Sequence, residues 1–123
     1  MLFKRIDHVA IHVADIDRSI SFYTNHFGCE KYYEHTAAPG FRIAYLKIGD
    51  SVLELVNSPE EKMSGFHFCF ETRDLDAAVE KLRDCGIKCV TEPYETVARS
   101  LREKGWRRVV FEGPDGEQIE LRG

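Results

Sequence analysis

The sequence predicts an α+β fold made of two copies of one β-α-β-β-β module, and two internal similarities support this prediction. Residues 6–28 and 65–86 share the same order of strand, acidic turn, amphipathic helix and glycine. Residues 47–55, KIGDSVLEL, resemble residues 113–121, GPDGEQIEL. Such self-similarity is the signature of a repeated structural unit, so we expect the two halves to adopt the same fold.

The first half of each module has the pattern of a strand followed by a helix. In IDHVAIHV, apolar and other residues alternate as they do in a half-buried β-strand. Apolar residues then recur at helical spacing in both halves, at Ile16, Ile20, Tyr23 and Phe27 and at Leu75, Val79 and Leu82. The candidate N-cap is Asp15 or Asp17 for the first helix and Asp74 or Asp76 for the second. Each helix is followed by a glycine suited to a left-handed helix end, Gly28 and Gly86 respectively.

The second half of each module has the pattern of antiparallel strands. Strand-like runs cover residues 41–46 and 106–111. Each run leads into a turn that favours a hairpin, which carries Gly49-Asp50 in the first half and Asp115-Gly116 in the second.

The division into modules follows from these patterns. Module one covers about residues 4–57 and module two about residues 64–122, joined by the short polar stretch 57–64. We expect the whole chain, residues 1–123, to form a single domain, because one helix and a few strands cannot cover their own sheet.

The composition argues against two classes of partner. The chain has 17 Lys and Arg against 21 Asp and Glu, a net charge of −4, so it lacks the basic excess that nucleic-acid binding requires. No apolar run is long enough to span a bilayer. The first residues also lack the pattern of a secretory signal, so we expect a cytoplasmic protein.

One potential metal ligand faces the side opposite the apolar residues in each of four predicted strands: His8, Glu54, His67 and Glu120. His67, for example, is flanked by Phe66 and Phe68, whose side chains point to the other face. A single residue of this kind is usually a strand residue in contact with water. Two histidines and two glutamates at repeat-equivalent positions instead favour a shared metal site.

Physical chemistry supports a cation between these four side chains. Two carboxylates in one cleft repel each other and two imidazoles there lack partners, and a divalent ion removes both problems. Two imidazole nitrogens and two carboxylate oxygens suit Ni, Zn, Co, Fe or Mn. An octahedral ion would keep about two open positions, enough for two adjacent oxygens of a substrate.

The chain resembles the vicinal oxygen chelate superfamily, which includes glyoxalase I, methylmalonyl-CoA epimerase, extradiol dioxygenases and fosfomycin-resistance proteins. The resemblance covers nearly the whole chain and is carried by residues 7–28, 51–57, 65–82 and 113–121. It implies that the two modules form a curved, U-shaped mixed sheet around a metal-binding cleft. It also implies one divalent metal bound at His8, Glu54, His67 and Glu120.

Within that superfamily, the ligand set is most similar to that of glyoxalase I. Glu54 stands where the epimerase usually has glutamine, whereas dioxygenases and fosfomycin enzymes generally use three protein ligands. The resemblance implies a lyase or isomerase of the lactoylglutathione lyase type, which moves a proton next to a carbonyl through an enediolate. Glu120 is the first candidate for the base and Glu54 the second. A methylmalonyl-CoA-type epimerase and a non-catalytic drug-binding protein remain alternatives.

Four further residues are candidates for substrate binding. Glyoxalase I usually carries an arginine four residues after the first ligand, where it binds a glutathione carboxylate. His12 stands at that position here, so the sequence leaves open which thiol forms part of the substrate. Cys69 should line the cleft two residues from His67. The basic stretch 99–108 is either a lid whose Arg99 and Arg102 bind an anionic group or a solvated loop.

The expected partners are a small-molecule substrate and a second copy of the chain. Related small proteins often form homodimers, and edge strands of short sheets favour pairing. The sequence leaves open which metal and which substrate bind, and whether the metal site closes within one chain or across two.

Overall fold

The computed structural model describes residue 2 and residues 5–58 and 66–123. The chain divides into two compact units, Met1–Met63 and Ser64–Gly123. Each unit contains one β-α-β-β-β module, as the internal similarity predicted. Residues 59–64 of the predicted joint lie outside the described residues. That the whole chain forms a single domain stays a prediction.

The first unit forms a four-stranded mixed sheet with one helix. In chain order its elements are β1 (Val9–Val13), α1 (Ile16–Phe27), β2 (Glu30–Ala38), β3 (Phe41–Ile48) and β4 (Ser51–Asn57). The strands lie in the order β1-β4-β3-β2, with β1 parallel to β4 and the other neighbours antiparallel. The strand β4, which carries Glu54, is therefore central.

The second unit repeats this arrangement. Its elements are β5 (His67–Glu71), α2 (Leu75–Asp84), β6 (Cys89–Glu95), a short 3-10 turn (Leu101–Glu103), β7 (Arg107–Glu112) and β8 (Gln118–Arg122). The strand order is β5-β8-β7-β6, with β5 parallel to β8 and the other neighbours antiparallel. The strand β8, which carries Glu120, occupies the position that β4 holds in the first unit.

Each sheet buries one aliphatic face. In the first unit Ile11 lies beside Leu55, and Leu46 lies beside Leu53 on the neighbouring strand. In the second unit the corresponding buried residues are Val109, Phe111, Ile119 and Leu121. Because side chains alternate along a strand, burial of these residues directs Glu54 and Glu120 to the opposite face of their sheets.

The helix caps are those that the sequence predicted. The carboxylate of Asp15 accepts a hydrogen bond from the Arg18 amide at 3.1 Å, and that of Asp74 accepts one from the Ala77 amide at 3.0 Å. Gly28 follows α1 with a φ of 70°, a backbone conformation that residues with a Cβ rarely adopt. Both helices therefore start and stop on local signals.

The first hairpin is also as predicted. Ile48 pairs with Ser51, so β3 and β4 are joined by the two residues Gly49 and Asp50. Gly49 has a φ of 56°, which fits the first central position of a type II′ turn. This turn sets the register that places Tyr45 opposite Glu54.

Some predicted boundaries differ from the structure. The strand β1 begins at Val9, so His8 lies just before it, and β7 begins at Arg107 rather than at 106. Phe66, Phe68 and Phe70, on the face opposite His67, are half-buried. Within the described residues, neither helix is long and apolar enough to cross a membrane.

Replacing Asp15 with alanine is expected to lower the free energy of unfolding by about 1 kcal/mol, because the Arg18 amide loses its acceptor. Urea denaturation of the wild type and of Asp15→Ala measures this change. Asp15→Asn is the matched control and should retain most of the stability, because asparagine also caps helices. Equal losses in both variants would contradict the capping role.

Candidate functional site

His8 and Glu54 form a contact pair in the first unit. The Nε2 atom of His8 lies 2.8 Å from Oε2 of Glu54. Glu54 is only 9% exposed, and its neighbour on β1 is Ala10. A buried carboxylate needs a positive or proton-donating partner, and His8 provides one.

Asp7 orients the imidazole of His8 from the other side. Its Oδ2 atom lies 3.0 Å from Nδ1 of His8, and this contact, followed by the charge of Glu54, raises the pKa of His8. A carboxylate on one ring nitrogen leaves the other nitrogen aimed at its ligand, which is the common arrangement for metal-binding histidines. The sequence analysis missed Asp7, although the Asp-His dipeptide is a usable signal.

A cluster of aromatic rings begins beside the first pair. Tyr45 lies opposite Glu54 on β3, and burial, followed by the charge of Glu54, raises the pKa of its hydroxyl. The rings of Tyr33 and His35 lie 5.8 and 5.9 Å from that of Tyr45. The ring of His8 meets Tyr45 edge-on at 6.5 Å. This side of the first sheet is therefore aromatic as well as acidic.

His67 and Glu120 form the equivalent pair in the second unit. The Nε2 atom of His67 lies 3.3 Å from Oε2 of Glu120, which is 7% exposed on the central strand β8. Cys69 is the neighbour of Glu120 on β5, as Ala10 is the neighbour of Glu54 on β1. Repeat-equivalent residues thus make repeat-equivalent contacts.

The separations within the two pairs fit two donors on one metal ion. Donors about 2.1 Å from an ion are about 3.0 Å apart at a right angle and about 3.4 Å apart at a tetrahedral angle. The observed Nε2–Oε2 separations are 2.8 and 3.3 Å. Within the described parts of each unit these side chains meet in pairs, and no group of three or more His, Cys, Asp or Glu is arranged around an ion position. The four-ligand site stays a prediction.

Arg108 contacts Glu120 from β7, and the sequence analysis did not assign it to the site. Its Nε atom lies 3.1 Å from Oε2 of Glu120, and its Nη1 donates a 3.1 Å hydrogen bond to the Tyr94 hydroxyl. The side chain of Arg108 is 24% exposed. Nothing in the sequence distinguishes Arg108 from the other basic residues of the stretch 99–108, because its contact with Glu120 depends on the pairing of β7 with β8.

The basic stretch also contains a buried carboxylate, Glu103, which is 3% exposed. It accepts hydrogen bonds from the Arg99 amide at 2.9 Å and from the Arg99 guanidinium, and Arg122 lies 3.4 Å away. These contacts, with those of Arg99 foremost, lower the pKa of Glu103 to about 2. The 3-10 turn is therefore tied to β8 by an ion-pair network.

The other predicted substrate residues have definite places. Arg102 pairs with Glu71 and lies over the ring of Trp106 at 4.7 Å. Desolvation and the nearby charge of Glu120 raise the pKa of the Cys69 thiol to about 11, so this residue is a thiol at neutral pH. His12 is half-buried on β1, two residues beyond Ala10. Substrate binding by Arg99, Arg102, Cys69 and His12 stays a prediction.

The chain is similar to known proteins over nearly its whole length. A profile of the Glyoxalase/Bleomycin resistance protein/Dioxygenase superfamily matches residues 5–121. Uncharacterized protein YwbC of Bacillus subtilis is 31% identical, with 96% of each chain covered. A probable lactoylglutathione lyase of Synechocystis is 30% identical, with 93% of this chain and 91% of that protein covered.

Two further similarities concern an epimerase and a solved structure. Human mitochondrial methylmalonyl-CoA epimerase is 28% identical over 72% of this chain and 57% of its own length. The crystal structure of a glyoxalase family protein from Enterococcus faecalis is 25% identical, covers 100% of both chains and superposes with a TM-score of 0.79.

Glu103→Gln is expected to destabilise the protein in a pH-dependent way. The pKa of an unpaired glutamate is about 4.5 and that of folded Glu103 is about 2. The ion pairs therefore contribute fully to the free energy of unfolding above about pH 4.5, and this contribution is lost as the pH falls toward 2. The variant should therefore melt roughly 5 °C or more below the wild type at pH 7. The difference should shrink at pH 3.

The matched control is Glu92→Gln, which removes an exposed carboxylate paired with Arg83. Its melting temperature should stay within about 1 °C of the wild type at both pH values, because exposed ion pairs contribute little. A Glu103→Gln deficit that is the same at pH 7 and pH 3 would contradict the ionic role of Glu103.

Proposed function

The chain belongs to the Glyoxalase/Bleomycin resistance protein/Dioxygenase superfamily, and on that premise we propose that it is a metal-dependent enzyme of the glyoxalase I type. The observation that carries this proposal is the pair of repeat-equivalent His–Glu contacts, at 2.8 and 3.3 Å. Each pair offers one imidazole nitrogen and one carboxylate oxygen on the polar face of its sheet. The two pairs together would provide the four ligands, within one chain or across two.

The residues of this chain would hold the metal through the atoms that now face each other. In the His8–Glu54 pair and in the His67–Glu120 pair, these atoms are the imidazole Nε2 and the carboxylate Oε2. When bound, a divalent ion supplies a Lewis acid that stabilises negative charge on neighbouring substrate oxygens. The metal is Ni, Zn, Co, Fe or Mn according to the donor set.

The proposed reaction is a proton transfer between adjacent carbons. Glu120 removes the proton from the carbon that carries the hydroxyl group and the thioether sulfur of a hemithioacetal, and the electron pair moves into an enediolate. The same carboxyl group returns the proton to the neighbouring carbon, and the hydroxyl proton passes from the first oxygen to the second, which gives a 2-hydroxy thioester. Arg108 contacts this carboxylate from β7, with its Nε atom 3.1 Å from Oε2. Glu54 is the second candidate for the base.

Two alternatives remain. The similarity to methylmalonyl-CoA epimerase favours an epimerase that acts on an acyl thioester. Such an enzyme also removes a proton next to a carbonyl, but it returns a proton to the same carbon. A non-catalytic protein that sequesters a small molecule would use the same face of each sheet. Glutathione is not favoured as the thiol, because His12 offers no arginine fork to a carboxylate.

The first prediction of the proposed function concerns metal binding. Wild-type protein should hold one divalent ion per chain, and His8→Ala, Glu54→Gln, His67→Ala and Glu120→Gln should each weaken binding at least about tenfold, because each removes a ligand. Isothermal titration with Co²⁺ and elemental analysis measure this. His26→Ala, a change on α1, should bind as the wild type does. Undiminished metal binding in the His67→Ala and Glu120→Gln proteins would refute the ligand assignment.

The second prediction concerns catalysis. Hemithioacetals of methylglyoxal with glutathione and with other cytosolic thiols, and methylmalonyl-CoA, are assayed with Ni²⁺, Co²⁺, Zn²⁺ and Mn²⁺ in deuterated water. A proton-transfer enzyme should incorporate deuterium at the reacting carbon, which NMR detects. Glu120→Gln should lower kcat at least about 100-fold, while Glu80→Gln, an exposed change on α2, should not. Turnover that survives in Glu120→Gln would make Glu54 the better candidate for the base.

The third prediction concerns assembly. The edge strands are β1 and β2 in one sheet and β5 and β6 in the other, and exposed edges favour pairing of chains. We expect a homodimer of about twice the 14.2 kDa chain mass in light scattering at micromolar concentration. A scattering mass equal to one chain would contradict it.

A further inference from the structure

Arg108 is a cation placed beside a proposed metal ligand. Its Nε atom contacts Oε2 of Glu120, the same oxygen that faces His67. Both side chains are largely withdrawn from water, with Arg108 24% and Glu120 9% exposed. Because a divalent ion at Glu120 would repel a guanidinium so close to it, Arg108 has an electrostatic cost in the metal-bound state.

A second positive charge increases that cost. Arg108 on β7 lies directly opposite Arg122 on β8, and like charges at such a pair of positions are destabilising. Arg122 lies 3.4 Å from Glu103, a carboxylate that it shares with Arg99. The carboxylate that balances Arg108 is Glu120, since its other hydrogen bond goes to the neutral hydroxyl of Tyr94.

The balance of charge changes when a metal binds. In the proposed site two glutamates neutralise the two charges of the ion, so the charge of Glu120 is no longer available to Arg108. One uncompensated positive charge then remains on the polar face of β7. Arg102 does not add to it, because it is paired with Glu71, whereas Arg99 and Arg122 share the single carboxylate of Glu103 and together leave one further positive charge.

We propose that Arg108 binds a carboxylate group of the substrate beside the metal ligand Glu120. The inference rests on the proposed function, because it assumes that a metal takes up the charge of Glu120. A guanidinium fork matches the two oxygens of a carboxylate. The substrate class is thereby narrowed to molecules that carry a carboxylate in addition to the oxygens at the reacting carbons.

The test compares two small ligands on Co²⁺-loaded protein. Lactate and tartronate both offer a hydroxyl and a carboxylate as adjacent oxygens, but tartronate has a second carboxylate where lactate has a methyl group. Binding is followed by the change in the visible spectrum of Co²⁺. Wild-type protein should bind tartronate at least about tenfold more tightly than lactate, because the second carboxylate meets Arg108.

Three variants separate the role of Arg108 from general electrostatics. Arg108→Gln should abolish the preference for tartronate, and Arg108→Lys, which keeps the charge but loses the fork, should retain part of it. The matched control is Arg107→Gln, which removes the same charge one residue earlier, where the guanidinium pairs with Asp76. It should keep the preference of the wild type.

The outcomes distinguish this inference from the proposed function. Co²⁺ binding without a preference for tartronate, or a preference that survives in Arg108→Gln, would overturn the carboxylate site and leave the metal site intact. Equal loss in Arg107→Gln and Arg108→Gln would also overturn it, since the effect would then be one of net charge. Absence of Co²⁺ binding by the wild type would overturn both.

Discussion

The carboxylates of Glu54 and Glu120 are buried on central strands, and the rest of each site is arranged around them. Their exposed fractions are 9% and 7%, so neither can be solvated as a surface glutamate is. An ionised carboxylate withdrawn from water is costly unless a cation or a hydrogen-bond donor faces it. In each unit that partner is a histidine, which lies just before the neighbouring parallel strand in the first unit and begins it in the second, at 2.8 and 3.3 Å.

The two units keep this arrangement but differ in what surrounds it. In the first unit Asp7 holds the far side of the imidazole and tyrosines lie beside the carboxylate. In the second unit Arg108 contacts the carboxylate directly. The first glutamate therefore has an acidic and aromatic setting and the second a cationic one. Two chemically identical side chains at repeat-equivalent positions therefore stand in different electrostatic surroundings.

Much of the fold could be predicted because its signals are local. The caps Asp15 and Asp74 and the turn residue Gly49 depend only on nearby backbone, and all three have the predicted roles. The alternation along single strands likewise located the buried face of β4 and of β8. The exact extent of β2 and β6 could not be predicted in this way, because shifts of register interrupt their pairing with neighbouring strands.

The parts of the site that the sequence did not reveal depend on pairing between distant segments. Arg108 and Glu120 meet because β7 and β8 are paired antiparallel, and nothing within the stretch 99–108 indicates that contact. Glu103 stands among basic residues and is buried by Arg99 and by Arg122 from another strand. Charge counting along the chain predicted a basic loop, whereas the arginines of this stretch are paired with carboxylates.

The central claim is that two histidines and two glutamates bind one metal ion. X-ray absorption spectroscopy of the Ni²⁺- or Zn²⁺-loaded protein tests this claim most directly, because scattering from imidazole rings counts the histidines bound to each ion. The account predicts two imidazoles per ion, oxygen donors in the remaining positions and no sulfur. A spectrum with one imidazole or none, or with a sulfur ligand from a cysteine, would contradict it.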